Sequence, residues 1–361
     1  MTVERLWPTD PFAEALSSIA LRAGPADRGE TTLAADLRAL HDCGLLAQVV
    51  RDCLPGGDAV AGAALLRRIG RASLPVGRIV EGHANALRLI QLFGTTAQRR
   101  QVAAATDNGA LFGVWGADGE EPARLVDLHA GKATLAGAKA FCSGIGLISQ
   151  AVIVVATDDG PQLVLPRVDE PARGDLTGWQ VSGMRATASG RYDVTGLGAE
   201  PLGAVNDYLR EPHFEGGIWR YCAVHCGGLE ALAEEARRHI LRRGQSDDPH
   251  QRARFAELIG QAHTARLWVD AACVAVEERL QADCVTQSLL ARAAVEQACQ
   301  SGIGLTERIM GTAAFDERAD ADRIRRDLAF FLRQANLDGK RDKAAAALLA
   351  PGAPPVGEAF S

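Results

Sequence analysis

A chain of 361 residues is too long for one simple core and is expected to divide into two or three packed units. Apolar residues make up 47% and charged residues 23%, the balance of a globular protein, and a formal net charge of −6 leaves no basic excess for a nucleic-acid surface. No run of about 18 apolar residues occurs, so no membrane-spanning helix is expected. The opening Met1-Thr-Val-Glu-Arg5 lacks the basic and apolar regions of a secretory leader. Eight cysteines are scattered through apolar helical patterns, so reduced thiols and a cytoplasmic location are the expectation.

Residues 1–108 read as helical. Leu33, Leu37 and Leu40 form an apolar stripe that Thr31 or Thr32 can cap and Gly44 can stop. Helical patterns continue over 61–72 and 79–93, with a break expected at Pro75 and Gly77. Phe93-Gly-Thr-Thr-Ala-Gln-Arg-Arg-Gln101 reads as a helix end, a Thr cap and a new start. The texture becomes β over 109–204. Residues 151–156 form a buried strand, 158–161 a tight turn and 163–166 the returning strand, with further short strands at 134–136 and 191–194. Their spacing suggests a small barrel or sandwich. Residues 205–350 return to long amphipathic helices of four-helix-bundle texture. Leu229, Leu232, Ala236 and Ile240 share one face, and Phe255, Leu258, Ile259, Ala262, Val269, Cys273, Val276 and Leu280 share another. Residues 351–361, rich in Pro and Gly, are expected to be a loose tail. The fold class read from this order is α+β and multidomain.

One stretch suggests a binding edge. Leu135-Ala-Gly-Ala-Lys-Ala-Phe-Cys-Ser-Gly144 runs from an apolar strand into an aromatic, a thiol, a hydroxyl and a Gly turn. Phe141 can lie against a flat ligand, while Ser143 and nearby N–H groups bond its edge; a plain β-turn is the alternative.

Four fragments in order carry a family resemblance: Phe93-Gly-Thr-Thr-Ala-Gln-Arg99, Gly137-Ala-Lys-Ala-Phe-Cys-Ser143, Gly183-Met-Arg-Ala-Thr-Ala-Ser189 and Ile324-Arg-Arg-Asp327. Over nearly its whole length the chain resembles the acyl-CoA dehydrogenase superfamily of flavoproteins. The resemblance implies an N-terminal helical domain, a middle β-domain and a C-terminal four-helix bundle, with FAD held between the last two, in a homodimer or homotetramer. Carried over by position, Phe141, Cys142 and Ser143 would contact the isoalloxazine, with Trp115 and Gly116 in the facing loop. Gly311 would approach the cofactor's adenosine end, and Arg243 and Gln251 would reach FAD across the dimer interface. Arg242-Arg-Gly-Gln-Ser-Asp-Asp-Pro-His-Gln251 is shorter than the family segment, lacks its Phe and carries two acids. The loop after Trp115 lacks the family's Glu-Pro turn.

The implied reaction is α,β-dehydrogenation of an acyl thioester, CoA-linked or a related acyl substrate, with a carboxylate as base. Counting from Arg326 places one family base position at Ala335. The other, before Arg220, holds Trp219. Asp338 and Glu215 are the nearest substitutes. The superfamily also contains reduced-flavin monooxygenases, which need no such carboxylate; there His83, on a helix bordering the pocket, is a candidate catalytic histidine. A non-catalytic member that keeps the scaffold is a third reading. Cys222-Ala-Val-His-Cys226 has metal-ligand spacing but no fourth ligand, so packing is the better account. Arg clusters at 237–238, 242–243 and 323–326 read either as phosphate contacts or as solvated faces paired with Glu234, Glu235 and Asp322.

Overall fold

The computed structural model describes residues 10–129, 132–279, 284–333 and 336–355. Among the described residues six helices come first: α1 (Ala13–Asp27), α2 (Ala34–Asp42), α3 (Leu45–Cys53), α4 (Ala59–Ala72), α5 (Leu74–Phe93) and α6 (Thr96–Asp107). Their boundaries follow local chemistry. Gly44 sits at φ +79° between α2 and α3, a conformation that glycine adopts without a Cβ penalty. Neither threonine forms the expected N-cap of α2: that position is Leu33, and Thr32 Oγ1 accepts only a long bond from Ala34 N at 3.4 Å. The break between α4 and α5 falls at Ser73, whose hydroxyl accepts from Val76 N, rather than at Pro75 and Gly77. Pro75 sits in the first turn of α5, where its missing N–H costs nothing. At the start of α6, Thr95 and Gln98 form the reciprocal capping box.

The strands described next are β1 (Phe112–Trp115), β2 (Arg124–His129), β3 (Lys132–Ala136), β4 (Ala138–Cys142), β5 (Gln150–Thr157), β6 (Gly160–Pro166), β7 (Gly174–Asp175), β8 (Gly190–Asp193) and β9 (Gly198–Leu202). The larger sheet has the order β1-β5-β2-β3-β9-β6, and β5 also pairs with β6, so five of its strands close on themselves as a small barrel. β5 and β6 form the expected hairpin, with Thr157 opposite Gly160. β4, β8 and β7 make a second, three-stranded sheet.

Five helices follow among the described residues: α7 (Trp219–Arg242), α8 (Pro249–Val274), α9 (Cys284–Met310), α10 (Asp320–Phe331) and α11 (Leu337–Leu348). Leu229, Leu232, Ala236 and Ile240 are buried on α7. On α8 the expected face holds at Leu258, Ala262, Val269 and Cys273, but Ile259 is exposed, one position round the helix from Leu258. Leu280 lies outside the described residues. A π-helical turn at 275–279 ends α8. No cysteine forms a disulfide. Among the described residues no helix is long and apolar enough to cross a membrane, and no cluster of His, Cys, Asp and Glu could hold a metal ion.

The N-terminal helices lock onto α7 through glycine. A Cβ on Gly70 of α4 would fall on the Val224 carbonyl oxygen, and one on Gly227 of α7 would fall on the Arg67 carbonyl oxygen and 2.6 Å from Arg71 N. Neither obstacle is a flexible side-chain end. Gly227→Ala is therefore expected to destabilise the fold by about 1–3 kcal/mol. Gly304→Ala, on α9 where a Cβ meets nothing, should be neutral or stabilising by up to about 1 kcal/mol. Urea unfolding midpoints at unchanged slope check both.

Candidate functional site

A cleft of about 650 Å³ opens between the β4 edge and the bundle, with α5 running along its floor. Its shape comes from three strained corners. Phe141, Met184 and Ala188 all have positive φ, at 53°, 58° and 46°. Each such residue costs about 1–2 kcal/mol, and such strain gathers at binding sites. At Phe141 a register shift in the β4–β8 ladder between Lys139 and Cys142 turns the ring out, leaving it 67% exposed at the cleft mouth. Phe141 meets Trp179 edge-on at 6.4 Å between centroids, and Trp179 meets Phe330 at 5.5 Å. Tyr221 and Phe331 extend this aromatic wall.

Hydroxyls line the adjacent face. Ser189 donates to Ser143 Oγ at 3.0 Å, and Thr187 Oγ1 lies 2.8 Å from both Ser189 Oγ and the Met184 carbonyl. Each hydroxyl owns one proton. With the Ser189 proton on Ser143, the Ser143 proton is left to donate into the cleft. Trp115 Nε1–H holds the Ser143 carbonyl at 3.1 Å. Lys139, fully buried, donates to Gly116 O at 2.9 Å, Val154 O at 2.8 Å and Asp118 Oδ1 at 2.7 Å, which fixes the loop after β1. Burial pulls the Lys139 pKa below its ordinary value, against the raising effect of Asp118.

The floor carries a polar stripe on an otherwise buried helix. Arg78, Glu81, Asn85 and Arg88 of α5 all line the cleft. Arg78 is ion-paired with Glu81, and Asn85 donates to Glu81 Oε2 at 2.6 Å. Arg88 donates to Glu277 Oε2 at 2.8 Å, while Arg220 and Trp219 Nε1 donate to Glu277 Oε1 at 2.7 and 3.1 Å. Glu277 reaches both guanidinium groups from the π-helical turn, a feature that often marks functional sites.

Of the residues expected at the site, Trp115, Gly116, Phe141, Ser143 and Glu215 line this one cleft. Cys142 does not. It follows the Phe141 turn and points into the core, fully buried, where burial raises the thiol well above its usual range. His83 is also off the cleft wall: it is fully buried behind β1, its Nδ1 accepts from Phe112 N at 3.1 Å, and burial pushes its pKa down to about 3. A histidine that stays neutral and sealed from the cleft makes no proton shuttle. Asp338 is exposed in the first turn of α11, outside the cleft. Ala335 lies outside the described residues. Arg243 and Gln251 flank the far end of α7, about 36 Å along that 24-residue helix from Trp219. There Gln251 donates to Ile309 O at 3.2 Å, next to Gly311, and none of the three lines the cleft. The sequence reading missed Arg78, Glu81, Asn85 and Arg88, although their spacing of three, four and three residues is that of one helix face. Glu277, within a segment scored only for its apolar face, left no comparable signal.

The late Arg-Asp pair has a structural task. Arg326 bonds Asp27 at 2.7 Å, Asp322 at 2.7 Å and the Ser182 carbonyl at 2.6 Å. Asp327 accepts from Met184 N at 2.6 Å, and a Cβ on Gly183 would fall on the Arg326 carbonyl oxygen. Two of the four fragments that carried the resemblance thus dock on one another, and the Met184 turn is pinned beside the cleft.

Sequence comparison adds nothing, since no family model and no curated protein matches the chain. Solved structures do match along nearly its whole length. TdsC from Paenibacillus sp. A11-2, solved with FMN and indole, is 18% identical with a TM-score of 0.81 over 96% of this chain and 98% of that one. A nitrososynthase from Micromonospora carbonacea var. africana is 18% identical with a TM-score of 0.77, over 96% and 98%. Methanesulfinate monooxygenase MsuC from Pseudomonas fluorescens is 20% identical with a TM-score of 0.77, over 99% and 100%. The fold is acyl-CoA dehydrogenase-like. In this fold the cleft falls between the strand region and the bundle, bounded by the expected Phe141 edge.

Burial pushes the Asp327 carboxyl up to about 6, against lowering by Arg323 and by the Met184 N–H. The folded state therefore holds a proton that the unfolded chain releases near its ordinary 3.8. This contribution is full below about pH 4 and is lost as pH rises through about 6, a fall of up to about 3 kcal/mol. Asp327→Asn keeps an acceptor for Met184 N and removes the titration. The difference between parent and variant unfolding free energies should therefore change across pH 4–6 and stay flat above it.

Proposed function

We propose that this protein is a flavin-dependent oxidoreductase that uses reduced flavin and O₂ to oxygenate a small aromatic or heteroatom-bearing substrate. The observation that carries this reading is the state of the cleft carboxylates. Glu81 is held by Arg78 and Asn85, and Glu215 is ion-paired with Lys343. An acyl-CoA dehydrogenase needs a carboxylate able to take the α-proton. Neither acid lining this cleft stands ready for that, and Asp338 lies off it. Dehydrogenation of an acyl thioester, the first expectation, therefore gives way to the oxygenase reading.

The cleft suits a flavin. Its volume lies in the range that takes small ligands, and its mouth offers an exposed aromatic ring beside an unspent hydroxyl proton. When bound, the flavin would supply the electron pair and activate O₂. Phe141 would support the flat ring, and Ser143 would bond its polar edge, with Ser189 and Thr187 holding that hydroxyl in place. Trp115 and Lys139 would fix the strand edge and the loop that faces it. The aromatic wall of Trp179, Phe330, Phe331 and Tyr221 would pack the substrate and exclude water. Support for the oxygenase class comes from the similar structures, two of which carry the name monooxygenase and one of which was solved with FMN and indole.

FMN fits this reading better than FAD. FMN is also the flavin in a similar solved structure. An adenosine arm served by Arg243, Gln251 and Gly311 would require a second copy of the chain, because these residues stand at the far end of α7. One observation favours a second reading: Glu215 does line the cleft, and a dehydrogenase could use it once Lys343 released it.

Purified protein distinguishes these cases. Tight binding of reduced FMN, with O₂ consumed and an oxygen atom found in an indole-class product, supports the proposal. Anaerobic bleaching of bound flavin by an acyl-CoA would sink it in favour of the dehydrogenase. Failure to take up any flavin would leave only a scaffold. Phe141→Gly gives a sharper test. Glycine relieves about 1–2 kcal/mol of left-handed strain and loses about 0.5–1 kcal/mol in chain entropy, so stability should stay within about 1 kcal/mol of the parent. Flavin affinity, read by fluorescence titration, should fall at least about tenfold, since the aromatic support for the flat ring is lost.

A further inference from the structure

The cleft has a charged inner end that the flavin reading does not use. Arg88 is 4% exposed, yet it lines the cleft, and among the described residues its Nε and Nη1 have no hydrogen-bond partner. Only Nη2 is engaged, by Glu277, and Glu277 is shared with Arg220. Two guanidinium groups on one carboxylate leave this buried cluster with one net positive charge. His213, also on the cleft wall, adds a buried Nδ1 without a partner, and Arg88 is among the charges acting on it. A buried cation with spare donors is costly unless an anion arrives to use them.

Position separates this end from the flavin edge. Arg78, Gly82, Trp115 and Ser143 line one recess, so the start of α5 lies at the hydroxyl face. Arg88 is ten residues further along the same helix, about 15 Å away.

Resting on the reading of this cleft as a substrate site, we infer that Arg88, with His213, seats an oxyanion carried by the substrate, of carboxylate, sulfinate or sulfonate type. Arg88 Nη1 keeps its N–H donors for an oxygen of such a group, on the side of the guanidinium away from Nε–H and from the Nη2 that Glu277 holds. His213 adds a second contact in its Nδ1–H tautomer. The apolar body of the substrate then lies against Phe214 and Leu89, between the anion seat and the Phe141 edge. A phosphate could use the same donors, and the flavin carries one, so the test separates the two sources.

Binding is measured by calorimetry on the intact protein, with and without oxidised FMN, for acetate, benzoate and indole-3-acetate, each against its primary amide. The wild type should prefer at least one carboxylate to its amide by tenfold or more. Arg88→Met keeps the stem and leaves Glu277 matched one-to-one with Arg220, so the variant should fold, as checked by its melting curve. It should bring that preference to within twofold and leave affinity for the amide unchanged. His213→Leu should weaken the same carboxylate severalfold; it carries the test if Arg88→Met does not fold. FMN and riboflavin are titrated in parallel, and the ratio of their affinities should not change in either variant. The inference is overturned if no carboxylate in the panel is preferred, if the preference survives in the variant that folds, or if that variant loses affinity for FMN but not for riboflavin, which would give the seat to the flavin phosphate. None of these readouts needs turnover. A protein that shows the anion preference but consumes no O₂ therefore keeps this inference and loses the oxygenase reading.

Discussion

The cleft exists because one turn is clamped between two layers. Gly183 lies so close to the Arg326 carbonyl that no Cβ fits, and the next residue, Met184, gives its N–H to a buried aspartate on α10. That contact holds the strand region against the bundle where the two would otherwise be free to close or part. It also sets the backbone from which Ser189, bonded to Thr187, reaches Ser143. The strain at Met184 and Ala188 is tolerable because the clamp over-determines them: a left-handed residue costs about 1–2 kcal/mol, and a charge-assisted hydrogen bond to a buried carboxylate contributes a similar amount.

Much of this was legible before any coordinates. Period-2 and period-3.6 patterns separated the strand region from the helices on either side, since burial of one face leaves a fixed imprint on sequence. The Thr cap at Thr95 and the tight turn at 158–161, found one residue earlier at 157–160, were readable because local hydrogen bonding decides both. The Phe141 edge was visible as a Gly-Lys-aromatic turn. What could not be read was side-chain direction at an irregularity. Strict alternation would place residues 141 and 143 on one face and Cys142 on the other, but whether the Phe141 face is wet or buried depends on a register shift that no local pattern announces. His83 misled for a related reason. Its helix does floor the cleft, yet 83 is one step round from Gly82 and two steps short of Asn85, so the ring turns behind β1.

The residues that most alter the functional reading are those whose partners lie far away in sequence. Glu215 looked like a substitute base until Lys343, 128 residues later, was seen to hold it. Arg220 looked like a landmark for a missing carboxylate, and a carboxylate does meet it, but as Glu277 from another helix and already shared with Arg88. Ion pairs of long sequence separation are set by packing, and a single sequence carries no trace of them.

The charges themselves divide into two kinds, and the division says where chemistry is plausible. Lys139 has three donors and three acceptors, so its burial is a closed matter of structure. Asp322 and Arg326 close their own network with Asp27 in the same way. The Arg88 cluster does not close. It holds more cations than anions and more donors than acceptors, on a helix otherwise buried among apolar side chains, and it borders open volume. A protein optimised for stability alone would replace such a group with an apolar residue of similar size, a change that is often neutral or favourable. A rigid helix instead carries the unbalanced charge about 15 Å along its axis from Arg78, which lies at the hydroxyl face.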